Sequence, residues 1–300
     1  MKPMLTVFTP TYNRAHLLGQ SYESLKRQTC KDFIWLIIDD GSSDDTKTLV
    51  RKWLDEGQVT IRYHYQANQG MHGAHNTAYE LIDTELNVCI DSDDTMTEDA
   101  VEKIVSFWKA SGDPKYAGIM ALDATTDKKI IGTQLPTDRT AMTLTDFYLQ
   151  GGSGDKKLIY RTDIISKYPP YPIFEGEKYV GLNYKYMMID QDYELLILNE
   201  IVCLVEYQAD GSSMNMVHQY RKNPRGFAEL RKVGMRCKPS IKAKFREAIH
   251  YVSSSIMLRN TKFLKESPCK GLTVLAILPG IALYTFIMCT SKNTVMKKVA

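Results

Sequence analysis

Cys89-Ile90-Asp91-Ser92-Asp93-Asp94 is the stretch on which the fold reading turns. The residues before it, Leu86 to Ile90, are short, apolar and partly β-branched, the pattern of a buried strand, and they run directly into three carboxylates. Three acids at the tip of a buried strand repel one another, and hard divalent cations take oxygen ligands of this kind. Strand alternation would let Asp91 and Asp93 face one way while Ser92 faces the other. An isolated Asp-x-Asp is also what a solvated acidic turn looks like, so its neighbours in the chain decide between the two.

Upstream, the pattern repeats. Leu5 to Phe8 is an apolar strand stopped by Thr9-Pro10-Thr11, after which Leu17, Leu18, Ser21, Tyr22 and Leu25 recur at helical spacing. Phe33 to Ile38 is a second strand. It ends in Asp39-Asp40-Gly41-Ser42-Ser43-Asp44-Asp45, an acidic turn that offers N-caps to a helix through Leu49, Val50, Trp53 and Leu54. Thr60 to Tyr65 is a third strand, broken by Asn68-Gln69-Gly70 before a helix marked by Ala74, Ala78, Leu81 and Ile82. Downstream of the acidic cluster, Val101, Ile104, Val105 and Trp108 mark a further helix, with Thr97 as its expected cap.

Strands alternating with helices predict an α/β fold with a mainly parallel sheet covered on both faces. In such sheets the ligand lies beyond the carboxyl ends of the strands. Thr9 to Asn13, Asp39 to Ser43, Asn68 to His75 and Asp91 to Asp94 all fall at those ends. Four polar clusters on one rim define a site, and their co-location favours the metal reading of the acids.

Together these stretches resemble the family 2 glycosyltransferases of the GT-A fold: Thr9-Pro-Thr-Tyr-Asn-Arg14, Ile38-Asp-Asp-Gly-Ser-Ser-Asp44, Asn68-Gln-Gly70 with Asn76, and Asp91-Ser-Asp-Asp94. The resemblance implies an enzyme that moves a hexosyl or N-acetylhexosaminyl group from a nucleotide sugar, usually a UDP-sugar, with inversion and with Mn2+ or Mg2+ as cofactor. It further implies that Thr9 and Tyr12 line the nucleoside pocket, that Asp39 accepts a hydrogen bond from the base, and that Asn68 belongs to the donor site. Asp91 would lie near ribose and metal, and Asp93 would ligate the cation. His75 stands where many members carry arginine, which gives a diphosphate less charge at that point. The chemistry agrees with the residue types: departure of a nucleoside diphosphate builds negative charge that a cation on Asp93 can stabilise.

The acceptor hydroxyl needs a carboxylate base on the other side of the sugar. The loop Phe174-Glu-Gly-Glu-Lys-Tyr179 resembles the one that carries this base in family members, which implicates Glu177, then Glu175, with Asp190 and Asp192 behind them. Further strands are expected at Gly118 to Leu122, Lys157 to Tyr160 and Ile201 to Tyr207, with a turn at 208–213 and a short helix at Leu144 to Leu149. His218 could reach a diphosphate or metal, though a lone histidine is more often structural.

Composition bounds the remainder. Three hundred residues, 44% hydrophobic and 24% charged, suit a folded chain with a sizeable core. Six cysteines without C-x-x-C spacing indicate reduced thiols in a cytosolic compartment, and the N-terminus reads directly into a strand with no apolar signal region. The net charge of +3 conceals an asymmetry: between Arg221 and Arg246, ten lysines and arginines accompany the single acid Glu229, so the rest of the chain is net acidic. Asn223-Pro224 can open a helix, and Ile241, Phe245, Ala248, Ile249, Val252 and Ile256 form an amphipathic one. Leu272 to Cys289 is an uncharged run between Lys270 and Lys292, interrupted by Pro279-Gly280. It reads as an interfacial or re-entrant anchor, with a buried core helix as the alternative.

The expected organisation is a GT-A-type catalytic domain over 1–215, nucleotide-sugar half 1–95 and acceptor half 96–215, followed by a basic helical region over 216–300 with its apolar segment at 272–289. The expected partners are a nucleotide-sugar donor, a glycan or lipid-linked acceptor of the cell surface, and the inner face of the cell membrane. A catalytically inactive nucleotide-sugar-binding subunit is the alternative. A nucleic-acid binder is disfavoured, because no aromatic-interleaved motif accompanies the basic segment.

Overall fold

Phe33–Asp39 is buried at every position, the signature of a strand covered on both faces in the middle of a parallel sheet. The computed structural model describes the backbone of residues 2–206 and 216–296, with side chains through Thr290. The described chain divides into two compact units, one of Met1–Pro170 with Asp192–Gln208 and the other of Tyr171–Gln191 with Ala209–Ala300. Glu177, placed by the sequence reading in the acceptor half, therefore belongs with the C-terminal helices.

The first unit begins with β1 (Leu5–Thr11), α1 (Ala15–Lys26), β2 (Phe33–Asp39), α2 (Thr46–Glu56), β3 (Ile61–Tyr65), α3 (Met71–Leu81) and β4 (Leu86–Cys89). It continues with β5 (Thr95–Met96), α4 (Ala100–Ser111), β6 (Tyr116–Thr125), β7 (Ala141–Met142), α5 (Leu144–Leu149), β8 (Lys156–Arg161) and α6 (Thr162–Ile165). After α7 (Asn183–Ile189), which lies in the second unit, β9 (Glu194–Val205) completes the sheet. The strand order is β3-β2-β1-β4-β8-β6-β9-β5, with β7 on β9. The β3-β2-β1-β4 half is parallel, β8 is antiparallel to both β4 and β6, and β6 runs parallel to β9.

One side of the core is an aromatic stack in which the Tyr22 and Trp53 rings lie 4.4 Å apart and Trp35 packs beside both. These residues sit on α1, α2 and β2, so the stack locks the first two helices to the sheet. The apolar spacing of α4 buries Val101, Ile104, Val105 and Trp108 as expected. Its N-cap is Asp99, not Thr97, whose hydroxyl goes instead to Asp99 Oδ1 and the Ile201 carbonyl. The strand expected at Ile201 starts earlier, at Glu194, because its first half pairs with β6 and β7. The turn expected at 208–213 lies outside the described residues.

The second unit contains α7, α8 (Met216–Lys222), α9 (Pro224–Cys237), α10 (Ile241–Met257), α11 (Phe263–Glu266), α12 (Lys270–Leu275) and α13 (Ile277–Met296). Pro224 opens α9 at a position whose missing N–H removes no helical bond. Pro279-Gly280 does not interrupt the last helix. Pro279 falls in the first turn of α13, where it displaces no intrahelical donor, and the chain breaks at Ala276 instead. Gly280 allows close approach to α10, since a Cβ there would stand 2.5 Å from Val252 Cγ1. Among the described residues no helix is long and apolar enough to cross a membrane.

Candidate functional site

The rim at the carboxyl ends of β1 to β4 is built by hydrogen bonds between successive loops. Thr11 pairs with Asp39 in the β1–β2 register, and Asp40 N donates to the Thr11 carbonyl at 2.8 Å. Asn13, at φ 53°, accepts Ser43 N on Oδ1 at 2.7 Å while its own N–H reaches Ser42 Oγ at 2.9 Å. Asp44 Oδ2 accepts Ala15 N at the start of α1. The first loop is thereby tied to the second.

The second loop is tied to the third by Asp40. Its Oδ1 accepts Gln69 N and Gln66 Nε2, and its Oδ2 accepts Gly70 N at 2.7 Å. Gly41, at φ 88°, brings its backbone so close that a Cβ would lie 2.9 Å from Asn68 N, which fixes both the residue type and the loop spacing. Asp39 is buried, with Ser42 N on Oδ1 and the Tyr63 hydroxyl on Oδ2 at 2.6 Å. Burial and the adjacent Asp39 carboxylate push the Tyr63 phenol well above its ordinary value, so it stays a donor.

The acidic stretch after β4 separates into three environments. Asp91 is exposed, Asp93 is partly buried and Asp94 is buried. Arg14 Nη1 lies 2.9 Å from Asp93 Oδ2, and α1 also holds the loop through Gln20 Nε2 to the Asp93 carbonyl and Ser21 Oγ to the Asp94 carbonyl. Burial and the charge of Asp91 push the Asp93 carboxyl above its usual value, with Arg14 pulling the other way. Asp94 turns inward to Lys157 Nζ at 3.6 Å, and the same ammonium lies 3.6 Å from Asp123 Oδ1 on β6. Burial pushes the Asp94 carboxyl up to about 7 against the pull of Lys157. For Lys157, burial opposes the charge, but Asp123, Cys203 and Asp94 outweigh it and hold the ammonium well above its ordinary value. Two cations of the chain itself, Arg14 and Lys157, thus offset part of the repulsion expected among the three acids, whose mutual charge still helps to hold Asp93 and Asp94 above their ordinary values.

Tyr12 is exposed on the rim beside the Asn13 turn. Thr9 is buried, and its Oγ1 accepts the Trp35 indole N–H at 2.9 Å. His75 is buried too, with Nδ1 2.9 Å from the Met71 carbonyl and its ring edge-on to Phe8 and Tyr79. Both side chains point at packed aromatic rings, Thr9 at Trp35 and His75 at Phe8 and Tyr79, so neither is exposed at the rim. Asn68 lies in the loop pressed on Gly41. His218 is exposed on α8.

Glu177 lies in the second unit, buried against the N-terminus of α9. Oε1 accepts Arg225 N at 3.0 Å and Oε2 accepts Gly226 N at 2.9 Å, while Asn223 Oδ1 takes Lys178 N. Both carboxylate oxygens are engaged by helix-start donors, which have no partner inside the helix. Glu175, two residues earlier, is exposed. In the first unit, Asp192 Oδ2 accepts the Tyr168 hydroxyl at 2.6 Å.

Asp40, Arg14, Lys157 and Asp123 are the structural members the sequence reading did not assign. Lys157 carried a signal, a lysine at the head of an apolar strand pattern, which calls for a buried counter-ion.

Among the described residues no three His, Cys, Asp or Glu side chains converge as a metal cage. Asp91 and Asp93 nonetheless suit a hard cation of the kind that takes one or two protein carboxylates and completes its shell with substrate phosphates. Asp94, committed to Lys157, does not belong to that set.

A parallel β/α half whose strand-end loops are clamped around an acidic turn, continued by mixed strands, defines a GT-A-like α/β fold. The model of the family "Glycosyl transferase family 2" matches residues 6–163, more than half of the chain, and the protein belongs to that family. An uncharacterized glycosyltransferase of Nostoc sp. is 26% identical over 175 residues, 55% of this chain and 53% of that protein. A GalNAc(5)-diNAcBac-PP-undecaprenol beta-1,3-glucosyltransferase of Campylobacter jejuni is 33% identical over 105 residues, 34% of each chain. The chain spans about half or less of the length of these relatives. The crystal structure of S. aureus TarS 1–349 in complex with UDP-GlcNAc superposes with a TM-score of 0.59 at 17% identity, covering 91% of this chain and 79% of that one. A mannosyltransferase from Pyrobaculum calidifontis in complex with GDP-Man and Mn2+ gives 0.56 at 15% identity, covering 99% and 81%. At these identities the two structures support the fold.

Proposed function

We propose that this protein transfers one hexosyl or N-acetylhexosaminyl group from a UDP-sugar to a hydroxyl of a cell-surface glycan, with inversion and with Mn2+ or Mg2+ at Asp91 and Asp93. The observation that carries this reading is the acidic turn, held by α1 at the end of β4 beside the clamped loops of β1, β2 and β3. Support for a nucleotide-sugar donor comes from the UDP-GlcNAc held by TarS and the GDP-Man held by the Pyrobaculum mannosyltransferase; the choice of UDP follows the first and that of Mn2+ the second.

In this reading Tyr12, Asp39 and the 66–70 loop receive the nucleoside, with Asp39 kept in place by Ser42 N and Tyr63. Asp91 and Asp93 would hold the cation, which supplies Lewis-acid stabilisation of the departing diphosphate. Arg14 keeps Asp93 oriented and adds a positive charge at the rim. The acceptor proton goes to a carboxylate of the 174–179 loop. Glu177 fits the role of anchoring that loop on α9, and Glu175, the exposed acid, is our assignment for the base. The acceptor we assign is lipid-linked, by analogy with the undecaprenol-linked substrate in the name of the Campylobacter relative, which would bring the enzyme to the inner face of the cell membrane.

Calorimetric binding of UDP, GDP and CMP, with and without Mn2+, tests the donor class on the intact chain and on Asp93→Ala. Metal-dependent preference for UDP that disappears in Asp93→Ala is the expected result. No nucleotide binding under any metal condition would overturn the reading.

A further inference from the structure

The last two helices are apolar on both sides. Their inner side is packed: Ala276 joins Tyr251 and Val252 in a buried cluster, Gly280 meets Val252, and Ile287 is buried. A helix at a water surface would carry polar residues on the other side. Here Val274, Leu275, Leu278, Ile281, Phe286 and Cys289 follow one another at helical spacing and are exposed, Leu278 by 78%, Leu275 by 68% and Phe286 by 60%. From Leu278 to Cys289 the stripe runs along about 16 Å of helix at the ordinary rise.

The charges beside the stripe have one sign. No residue from Gly271 to Ser291 is charged, and Lys270 and Lys292 bound the run in sequence. Just before it, Arg259, Lys262, Lys265 and Lys270 are exposed, against the single acid Glu266. An exposed apolar stripe bordered by cations complements a bilayer surface with anionic headgroups, where acyl chains take the stripe and phosphates take the ammonium groups. A stripe meant for a second copy of the chain would need no such one-sided charge.

We propose that α12 and α13 form a docking edge that lies in the plane of an anionic bilayer, with Leu275, Leu278 and Phe286 inserted and Lys262, Lys265 and Lys270 at the headgroups. The docking edge rests on the lipid-linked acceptor reading only in what it would bring the site to, and vesicle binding without donor or acceptor tests it separately.

The experiment floats the full chain with phosphatidylglycerol/phosphatidylethanolamine vesicles and with pure phosphatidylcholine vesicles, in parallel with Leu278→Glu/Phe286→Glu. The wild type should float with anionic vesicles and bind at least about tenfold more weakly to phosphatidylcholine. The double variant should lose about tenfold or more in anionic-vesicle binding while its UDP binding stays unchanged. Lys262→Glu/Lys270→Glu is the second variant, which leaves the apolar packing intact and should also lose binding. Three results overturn the proposal: no binding by the wild type, binding at the wild-type level by either double variant, or a wild-type dimer in light scattering that Leu278→Glu/Phe286→Glu converts to monomer. The last would assign the stripe to a second copy.

Discussion

Arg14 Nη1 stands 2.9 Å from Asp93 Oδ2, so the carboxylate assigned to the cation is already paired with a guanidinium from the first strand-end loop. The pair is partly buried, and Asp91 two residues away adds like charge. Arg14→Met should therefore lower stability by about 1–2 kcal/mol in metal-free buffer, as expected for a lost charge-assisted hydrogen bond. Added Mn2+ should restore more of the melting temperature in Arg14→Met than in the wild type, because the ion then replaces the missing charge. Equal Mn2+ shifts in the two proteins would show that Asp93 does not meet the ion.

Lys157 Nζ lies 3.6 Å from both the buried Asp94 and the buried Asp123. Lys157→Met leaves two buried carboxylates without their cation, and breaking such a pair on one side costs about 3–5 kcal/mol. Replacing the trio by Lys157→Met/Asp94→Asn/Asp123→Asn should recover much of that loss, since no buried charge is then left unpaired. Urea unfolding of both variants checks the order.

The fold was legible because β1, β2 and β4 are apolar runs closed by polar turns, β3 alternates, and each helix between them carries one apolar face. Asp39, Asp91 and Asp93 were legible as strand-end acids, and they stand at or just after the ends of β2 and β4. Thr9 and His75 were not distinguishable from rim residues by sequence, since only the direction of the side chain, toward Trp35 in one case and the Phe8–Tyr79 contact in the other, separates them from Tyr12. Asp40 and Lys157 act through partners 26 or more residues away, and pairing at that distance leaves no periodic trace. Pro279-Gly280 shows a different limit: a dipeptide that breaks a helix interior is harmless in a first turn, and where the turn starts is set by Ala276 packing on α10.

Glu177 anchors its loop by accepting Arg225 N and Gly226 N, and a Cβ at Gly226 would come 2.2 Å from the Tyr179 carbonyl, so loop and helix start are in tight contact. Glu177→Ala should cost about 1–3 kcal/mol from the lost cap and the two orphaned donors. Glu175→Gln, on the exposed acid, should leave stability within about 0.5 kcal/mol and abolish most turnover. Denaturant titration and transfer assays on the two variants separate anchoring from base catalysis; a stable but inactive Glu177→Gln would return the base to Glu177.

The second unit should be sensitive to acid because two groups on α10, the half-buried His250 and the buried Glu247, titrate below their ordinary values. Burial first, then Arg231, lowers the His250 imidazole to about 4. Burial would raise the Glu247 carboxyl, but Arg231 at 2.9 Å and the close Lys238 ammonium hold it below its usual range. The signs agree. Between pH 6.5 and about 4 the unfolded His250 takes up a proton that the folded one refuses, so stability present above 6.5 falls as pH drops through that window. Glu247 adds a second loss once pH falls below its unfolded value of 4.5. Neither group accounts for a loss on the alkaline side. His250→Gln should flatten the upper part of the profile by roughly 2 kcal/mol, and Glu247→Gln the lower part, at the expense of stability at neutral pH. Urea unfolding from pH 7 to pH 4, followed by the tyrosine signal of the second unit, measures both; an unchanged slope in His250→Gln would mean that the imidazole is not shielded from protons in the folded chain.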